Sequence, residues 1–431
     1  MNAATPFGKV AGSALTSRQF ILLYAAMLVA AAGNTALQSV MPAIGRAIGI
    51  PDVVVALTFT VSAAMWVFFA PRWASLSDTR GRKPLILLGV GAGFTVSTLL
   101  CGIVLFAGLN GWMGAYLTFA VFALARAFYG IFGCATPSAT QAYLASRTRR
   151  GSRVDAIAGL SSSFSLGTIV GPALAPLFVL PLLGLSGPLF VFAAFGAVVM
   201  IAVWAMLPND LGPRRGPRRG QGAAMSYPSL ATAPTGASVR AATNPRSKMR
   251  WSDPRIRGWI TAGVATNHAM AGILTIMGFF TIDRLGLEPV GAEQEIALVM
   301  LAGAAATLAA QWGLIPRLRL APRALMVWGS LIAAVGLLGT MVASSLYGIV
   351  LGFALTNIGF GFTRPGFTAG ASLAVGLDEQ GGVAGIVTSA NGLAFVAAPT
   401  IGILLYGAAA WLPFAIATAL LIVMALWCRR L

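Results

Sequence analysis

The chain has 431 residues, 58% hydrophobic and 9% charged, with a formal net charge of +18. Its apolar runs repeatedly reach the roughly 20 residues that a bilayer demands, which excludes a soluble globular protein. The basic excess would suggest nucleic acid in a soluble chain, but here it falls between apolar runs, and Cys101, Cys134 and Cys428 are too scattered to suggest a disulfide or a zinc site.

Taken in order, Lys9 and Arg18 precede an apolar run too long for a signal-peptide core, so the first span is expected to be retained. Apolar length and punctuation predict twelve membrane helices. The first six cover about Gln19 to Val40, Val53 to Trp73, Pro84 to Ala107, Trp112 to Tyr143, Ile157 to Leu180 and Pro188 to Leu207. The other six cover about Gly258 to Thr281, Ile296 to Ile315, Ala324 to Val342, Leu346 to Val375, Gly382 to Tyr406 and Ala410 to Trp427.

Of the 29 basic residues, 25 then lie on the side of the two termini, while Arg46 and Arg284 lie opposite and Arg126 and Arg364 lie inside spans. The positive-inside rule puts both termini in the cytoplasm. Residues 1–207 and 258–431 read as two six-helix halves. Residues 208–257 read as a basic flexible cytoplasmic linker, rich in Gly, Pro, Ser and Arg and without the aromatic interleaving of an RNA-binding tail.

Two internal similarities support the halves. Gly133 to Thr140 resembles Gly361 to Thr368, and Ser162 to Pro172 aligns with Ser389 to Pro399.

Between spans two and three, residues 71–84 read as a short basic hinge. There Asp78 stands among Arg72, Arg80, Arg82 and Lys83, Gly81 permits a turn, and Pro84 suits a first helical turn. Leu76, Asp78, Gly81, Arg82 and Lys83 match the loop between helices 2 and 3 of the major facilitator superfamily, with Ala74 in place of its first glycine. Gly167-Thr168-Ile169-Val170-Gly171-Pro172 resembles that family's antiporter motif, with Ala175 and Pro176 where paired glycines usually follow. Arg126-Ala127-Phe128-Tyr129-Gly130 resembles its arginine motif associated with proton coupling.

The resemblance covers nearly the whole chain and is strongest to the twelve-span drug:proton antiporter branch. It implies an all-α polytopic fold in the inner membrane, alternating access, and a monomer. It also implies small-molecule substrate, protons and lipid as partners, a gating role for Asp78, Gly81, Arg82 and Lys83, and no cofactor beyond the proton gradient.

The residues themselves leave several roles open. The small stripe Gly159, Ser163, Gly167, Gly171 and Ala175 allows close helix packing, and it also offers a surface on which one half can rock against the other. A guanidinium at mid-span costs about 2.5–3.5 kcal/mol on insertion scales, so Arg126 must face the bundle interior or water, whereas Arg364 has the option of snorkelling. His268 reads as a proton carrier or a packing residue. Asn34, Gln38, Asn267, Asn357 and Asn391 either bridge helices or line a cavity with Phe128, Tyr129, Phe360 and Phe395.

All 11 acidic residues fall in loops or at span ends, whereas many drug exporters of the family carry a mid-span carboxylate. This absence favours anionic or zwitterionic substrates. The expectation is a proton-coupled exporter of drugs or other small organic molecules. The rival within the fold is an exporter of an endogenous anion such as a siderophore or metallophore. A membrane-embedded enzyme lacks a nucleophile, metal cluster or acid–base pair within the spans, and a channel fits the repeat and the loop motif less well.

Overall fold

The structure of the chain, a computed structural model, describes residues 15–147, 153–209, 250–375 and 380–430. The first six helices are α1 (Ser17–Ile48), α2 (Asp52–Arg80), α3 (Lys83–Leu109), α4 (Ala115–Gly133, resumed after Cys134 as Ala135–Arg147), α5 (Arg153–Leu174) and α6 (Gly187–Met206). The last six are α7 (Arg257–Leu285), α8 (Glu293–Leu318), α9 (Pro322–Val342), α10 (Leu346–Leu373), α11 (Gln380–Ala408) and α12 (Leu412–Cys428). Among the described residues, ten helices are long and apolar enough to cross a membrane, and the shorter apolar helices Leu166–Phe178 and Leu412–Cys428 belong to α5 and α12. Residues 210–249 of the expected linker lie outside the described residues.

Local chemistry sets the helix ends. Thr16 and Gln19 form a reciprocal capping box at the start of α1: Thr16 N–H donates to Gln19 Oε1 at 3.0 Å and Gln19 N–H to Thr16 Oγ1 at 3.4 Å. At its other end Gly49, with φ +80°, donates back to Arg46 O, and Ile50 N–H reaches Gly45 O at 2.9 Å. Pro42 lies inside α1 without ending it, and the helix runs about two turns beyond the sequence expectation and carries Arg46 in its last turn.

A second difference concerns the basic hinge. The backbone of α2 continues helical through Asp78 to Arg80, so the turn shrinks to Gly81 and Arg82, with Gly81 at φ +92°. The side chain of Asp78 and that of Asp155 lie outside the described residues. Lys83 Nζ donates to Trp204 O at 2.8 Å, tying the start of α3 to the end of α6, and Arg82 is buried.

Within each set of six, helices meet at small residues, as they must where burying apolar side chains against lipid-like neighbours gains little. A Cβ on Gly167 would overlap Leu28 O, and one on Gly171 would overlap Ala32 O, both on α1. Ser163 Oγ donates to Tyr24 O at 2.7 Å along the same seam. Ser163, Gly167 and Gly171 therefore fasten α5 to α1 inside the first set, the close-packing role, while α5 also packs against α8 of the second set. The matching seam joins α7 to α11, where a Cβ on Gly402 would sit 2.9 Å from Gly272 O. Large side chains on outer faces, such as Leu124, Val198 and Leu351, are exposed, as a lipid-facing surface requires.

The two sets meet on α1, α2 and α5 of the first and α7, α8 and α11 of the second. Thr60 and Thr400 share a hydrogen bond of 2.8 Å between α2 and α11, and Pro42 of α1 seats against Gly278 of α7 so closely that a Cβ there would overlap the ring. One apolar core runs through both sets, holding Val40 and Met41 together with Ile276 and Met277.

Candidate functional site

Arg126, on α4, is 2% exposed. Its Nη2 donates to Asn34 Oδ1 of α1 at 2.7 Å, and its guanidinium carbon lies 5.1 Å from the centroid of Phe59 on α2 and 4.5 Å from that of Tyr129, one turn along α4. Tyr129 is itself packed against Trp66, with centroids 5.7 Å apart. Three helices thus build a buried box that holds a planar cation by an amide oxygen and two aromatic faces, the geometry in which guanidinium desolvation is best offset.

The box borders a cavity of about 60 Å³ between the two sets, lined mainly by Gln38, Phe59, Thr275, Phe279, Met300 and Phe395. Phe59 belongs to both box and cavity. Gln38 lies one helical turn beyond Asn34 on α1, so the polar stripe of that helix leads from the guanidinium into the cavity. The wall is mostly apolar and aromatic with two polar groups, as expected of a site for organic molecules.

Beyond the cavity, at the end of the bundle opposite the termini, four side chains close the gap. Arg46 of α1 donates from Nε to Asp52 Oδ1 at 3.2 Å and from Nη2 to Asp52 Oδ2 at 2.8 Å. Across the interface its Nη1 meets Asp283 Oδ1 of α7, and its Nη2 lies 2.9 Å from Asp283 Oδ2. Tyr406 of α11 donates to Asp283 Oδ2 at 2.6 Å, and Phe279 lies under the guanidinium at 5.3 Å. The pair is only partly shielded, with side-chain exposures of 19% for Arg46 and 46% for Asp283.

The remaining predicted residues divide. Asn267 Nδ2 donates to Asn391 Oδ1 at 2.8 Å, bridging α7 and α11. Asn357 Nδ2 donates to Phe353 O of its own helix at 2.8 Å, and its backbone oxygen accepts from Thr307 on α8, so it packs α10 against α8 and is absent from the cavity wall. His268 Nδ1 lies 2.8 Å from Val264 O; a carbonyl only accepts, so Nδ1 carries the hydrogen and Nε2 remains the basic atom. Arg364 is buried in α10, 5% exposed, which decides against snorkelling. Gly167, Gly171 and Pro172 are all buried, on the α5 side of the first set.

The sequence reading missed Phe59 and the Arg46 cluster. Phe59 carries no distinguishing pattern in an apolar span. Arg46, however, is one of only two basic residues on its side, and Asp52 and Asp283 share that side with it. Pairing scarce charges across loops was the available signal.

Among the described residues, twelve helices in two similarly built sets, with a site where the sets meet, agree with a family match. The family model for the major facilitator superfamily matches residues 22–319. The chain belongs to the major facilitator superfamily, a family of membrane transporters. No curated protein sequence matches it significantly. Among solved structures, the human organic anion transporter MFSD10 (TETRAN) is similar at 19% identity and a TM-score of 0.63, over 95% of this chain and 99% of that one. The nucleoside transporter NupG is similar at 9% identity and a TM-score of 0.67, over 95% and 99%. A bacterial homologue of the human lysosomal transporter Spinster, in an inward-facing and occupied conformation, is similar at 14% identity and a TM-score of 0.66, over 95% of each chain. These identities show the shared fold.

Proposed function

We propose that this major facilitator protein is a secondary transporter that exports small organic anions from the cytoplasm by alternating access between two six-helix halves. The observation that carries the reading is the burial of two guanidiniums, Arg126 and Arg364, at 2% and 5% exposure inside a bundle whose 11 carboxylates all lie near span ends or in loops. A ligand carboxylate or sulfonate would gain charge-assisted hydrogen bonds there that a cation cannot. The similarity to an organic anion transporter agrees with this choice, as does the aromatic cavity for an apolar ligand body.

With the basic loops placed in the cytoplasm by the positive-inside rule, the Arg46–Asp283 closure faces outside, and in this reading substrate loads from the cytoplasm. That is the loading state of an exporter. Export also draws on the resemblance of Gly167 to Pro172 to the antiporter motif. In this reading His268 takes the coupling proton on Nε2, and the chain works as a monomer in the plasma membrane with no cofactor. The Gly81–Arg82–Lys83 turn beside Asp78 forms the cytoplasmic latch. A drug is a substrate here when it is anionic or zwitterionic.

The test is uptake into inverted membrane vesicles under an imposed pH gradient, with labelled aryl carboxylates and cationic dyes side by side. Gradient-dependent accumulation of the carboxylates is expected, and Arg126→Lys, which keeps the charge but loses the planar fork, is expected to lower it by about tenfold or more. Accumulation of the dyes alone would refute the anion assignment, as would carboxylate transport indifferent to Arg126→Lys.

A further inference from the structure

The Arg126 box contains a choice of side chain that its geometry does not require. Asn34 Oδ1 accepts from Arg126 Nη2 at 2.7 Å, deep in the bundle at 2% exposure. Aspartate is nearly the same size and shape, and it would accept the same hydrogen bond with a stronger electrostatic partner. The difference is charge. An amide orients the guanidinium and leaves its formal charge in the site, whereas a carboxylate would orient it and cancel that charge.

The surrounding groups act in the same direction. Phe59 and Tyr129 offer ring faces, which stabilise a cation without neutralising it. The nearest acidic residue on these helices is Asp52, seven residues from Phe59 on α2 and so about 10 Å away along the axis, where it already grips Arg46. Phe59 and Gln38 carry the box to the cavity wall, so a ligand in the cavity experiences the field of Arg126.

We infer that Asn34 is the specificity-determining residue of the transporter: by holding Arg126 through a neutral amide it selects organic anions, and a carboxylate at this position would reject them. This rests on the proposed transport of organic anions and names the residue that sets the sign of the charge. Asn34 positions and tunes Arg126, which meets the ligand's charge.

The experiment compares 3-phenylpropionate with 3-phenylpropylamine, probes of one skeleton and opposite charge. Both are measured by uptake into proteoliposomes holding the full-length protein as wild type, Asn34→Asp, Asn34→Ser or Asn34→Ala. The readout is the anion-to-amine ratio, because a folding defect lowers both rates together and leaves their ratio alone. Wild type is expected to favour the carboxylate. Asn34→Asp is expected to lower the ratio by roughly tenfold to a hundredfold, the worth of one hydrogen-bonded charge. Asn34→Ser and Asn34→Ala keep the site cationic and are expected to retain the preference even at reduced rate.

An unchanged ratio in Asn34→Asp would overturn the assignment while leaving anion transport standing. Equal loss of preference in Asn34→Ala would overturn it too, since shape and not charge would then be the cause. If Asn34→Asp yields no folded protein, a loss of preference in Asn34→Ser overturns the assignment and its retention supports it. A wild-type protein that moves neither probe, or prefers the amine, would sink the substrate class and this assignment with it.

Discussion

Neutralising Asp283 should open the outer end of the transporter without disturbing its inner architecture. Asp283→Asn keeps the side chain's shape and an acceptor for Tyr406, but it removes the charge that Arg46 meets across the interface. Arg46 retains its two hydrogen bonds to Asp52, so the change falls on the cross-interface contact. With Asp283 46% exposed, the pair sits near the upper end of the surface range, about 1 kcal/mol, which is about a fivefold shift toward the outward-open state.

The assay uses Thr275→Cys, placed in the cavity wall on α7, and an impermeant maleimide added from outside intact cells. The native Cys101, Cys134 and Cys428 are buried and contribute little background. Labelling should proceed about fivefold faster with Asp283→Asn than without it, and the difference should narrow at high salt as screening weakens the native pair. Equal rates at low salt would refute the assignment of this pair as the outer closure.

Two further outcomes are expected. Gly171→Ala should lower thermal stability by about 1–3 kcal/mol, since its methyl group would meet the backbone of α1, whereas Gly407→Ala, with nothing within 4 Å of its Cβ, should be near neutral; melting of the detergent-solubilised protein separates them. His268→Gln should leave exchange without a pH gradient intact and abolish gradient-driven accumulation, measured in the same vesicles; accumulation that persists would remove His268 as the proton carrier.

The fold was readable because bilayer physics writes it in long apolar runs, and each expected span corresponds to an observed helix. The ends were less legible. A capped Gly49 decides where α1 stops, and the apolar pattern fades several residues earlier, so Arg46 read as a loop residue. At the site, the cost of a mid-span guanidinium marked Arg126 in advance, and its partner Asn34 was among the polar residues singled out. Phe59 was invisible because an aromatic in an apolar span reads the same whether it faces lipid, core or cation. Asn267, Asn357 and Asn391 show the converse: a polar residue in a span must be satisfied, and here each is satisfied by a neighbouring helix or its own backbone.

The glycine seams have a mechanical consequence. Where backbone meets backbone, as at Gly171 against Ala32 and Gly402 against Gly272, no rotamer can yield and no side chain can slide, so α1 with α5 and α7 with α11 each form a stiff beam. Stiff beams transmit displacement over their length. In the proposed transport cycle, a displacement of either beam at mid-membrane would therefore be carried along its length to the end where Arg46 meets Asp283.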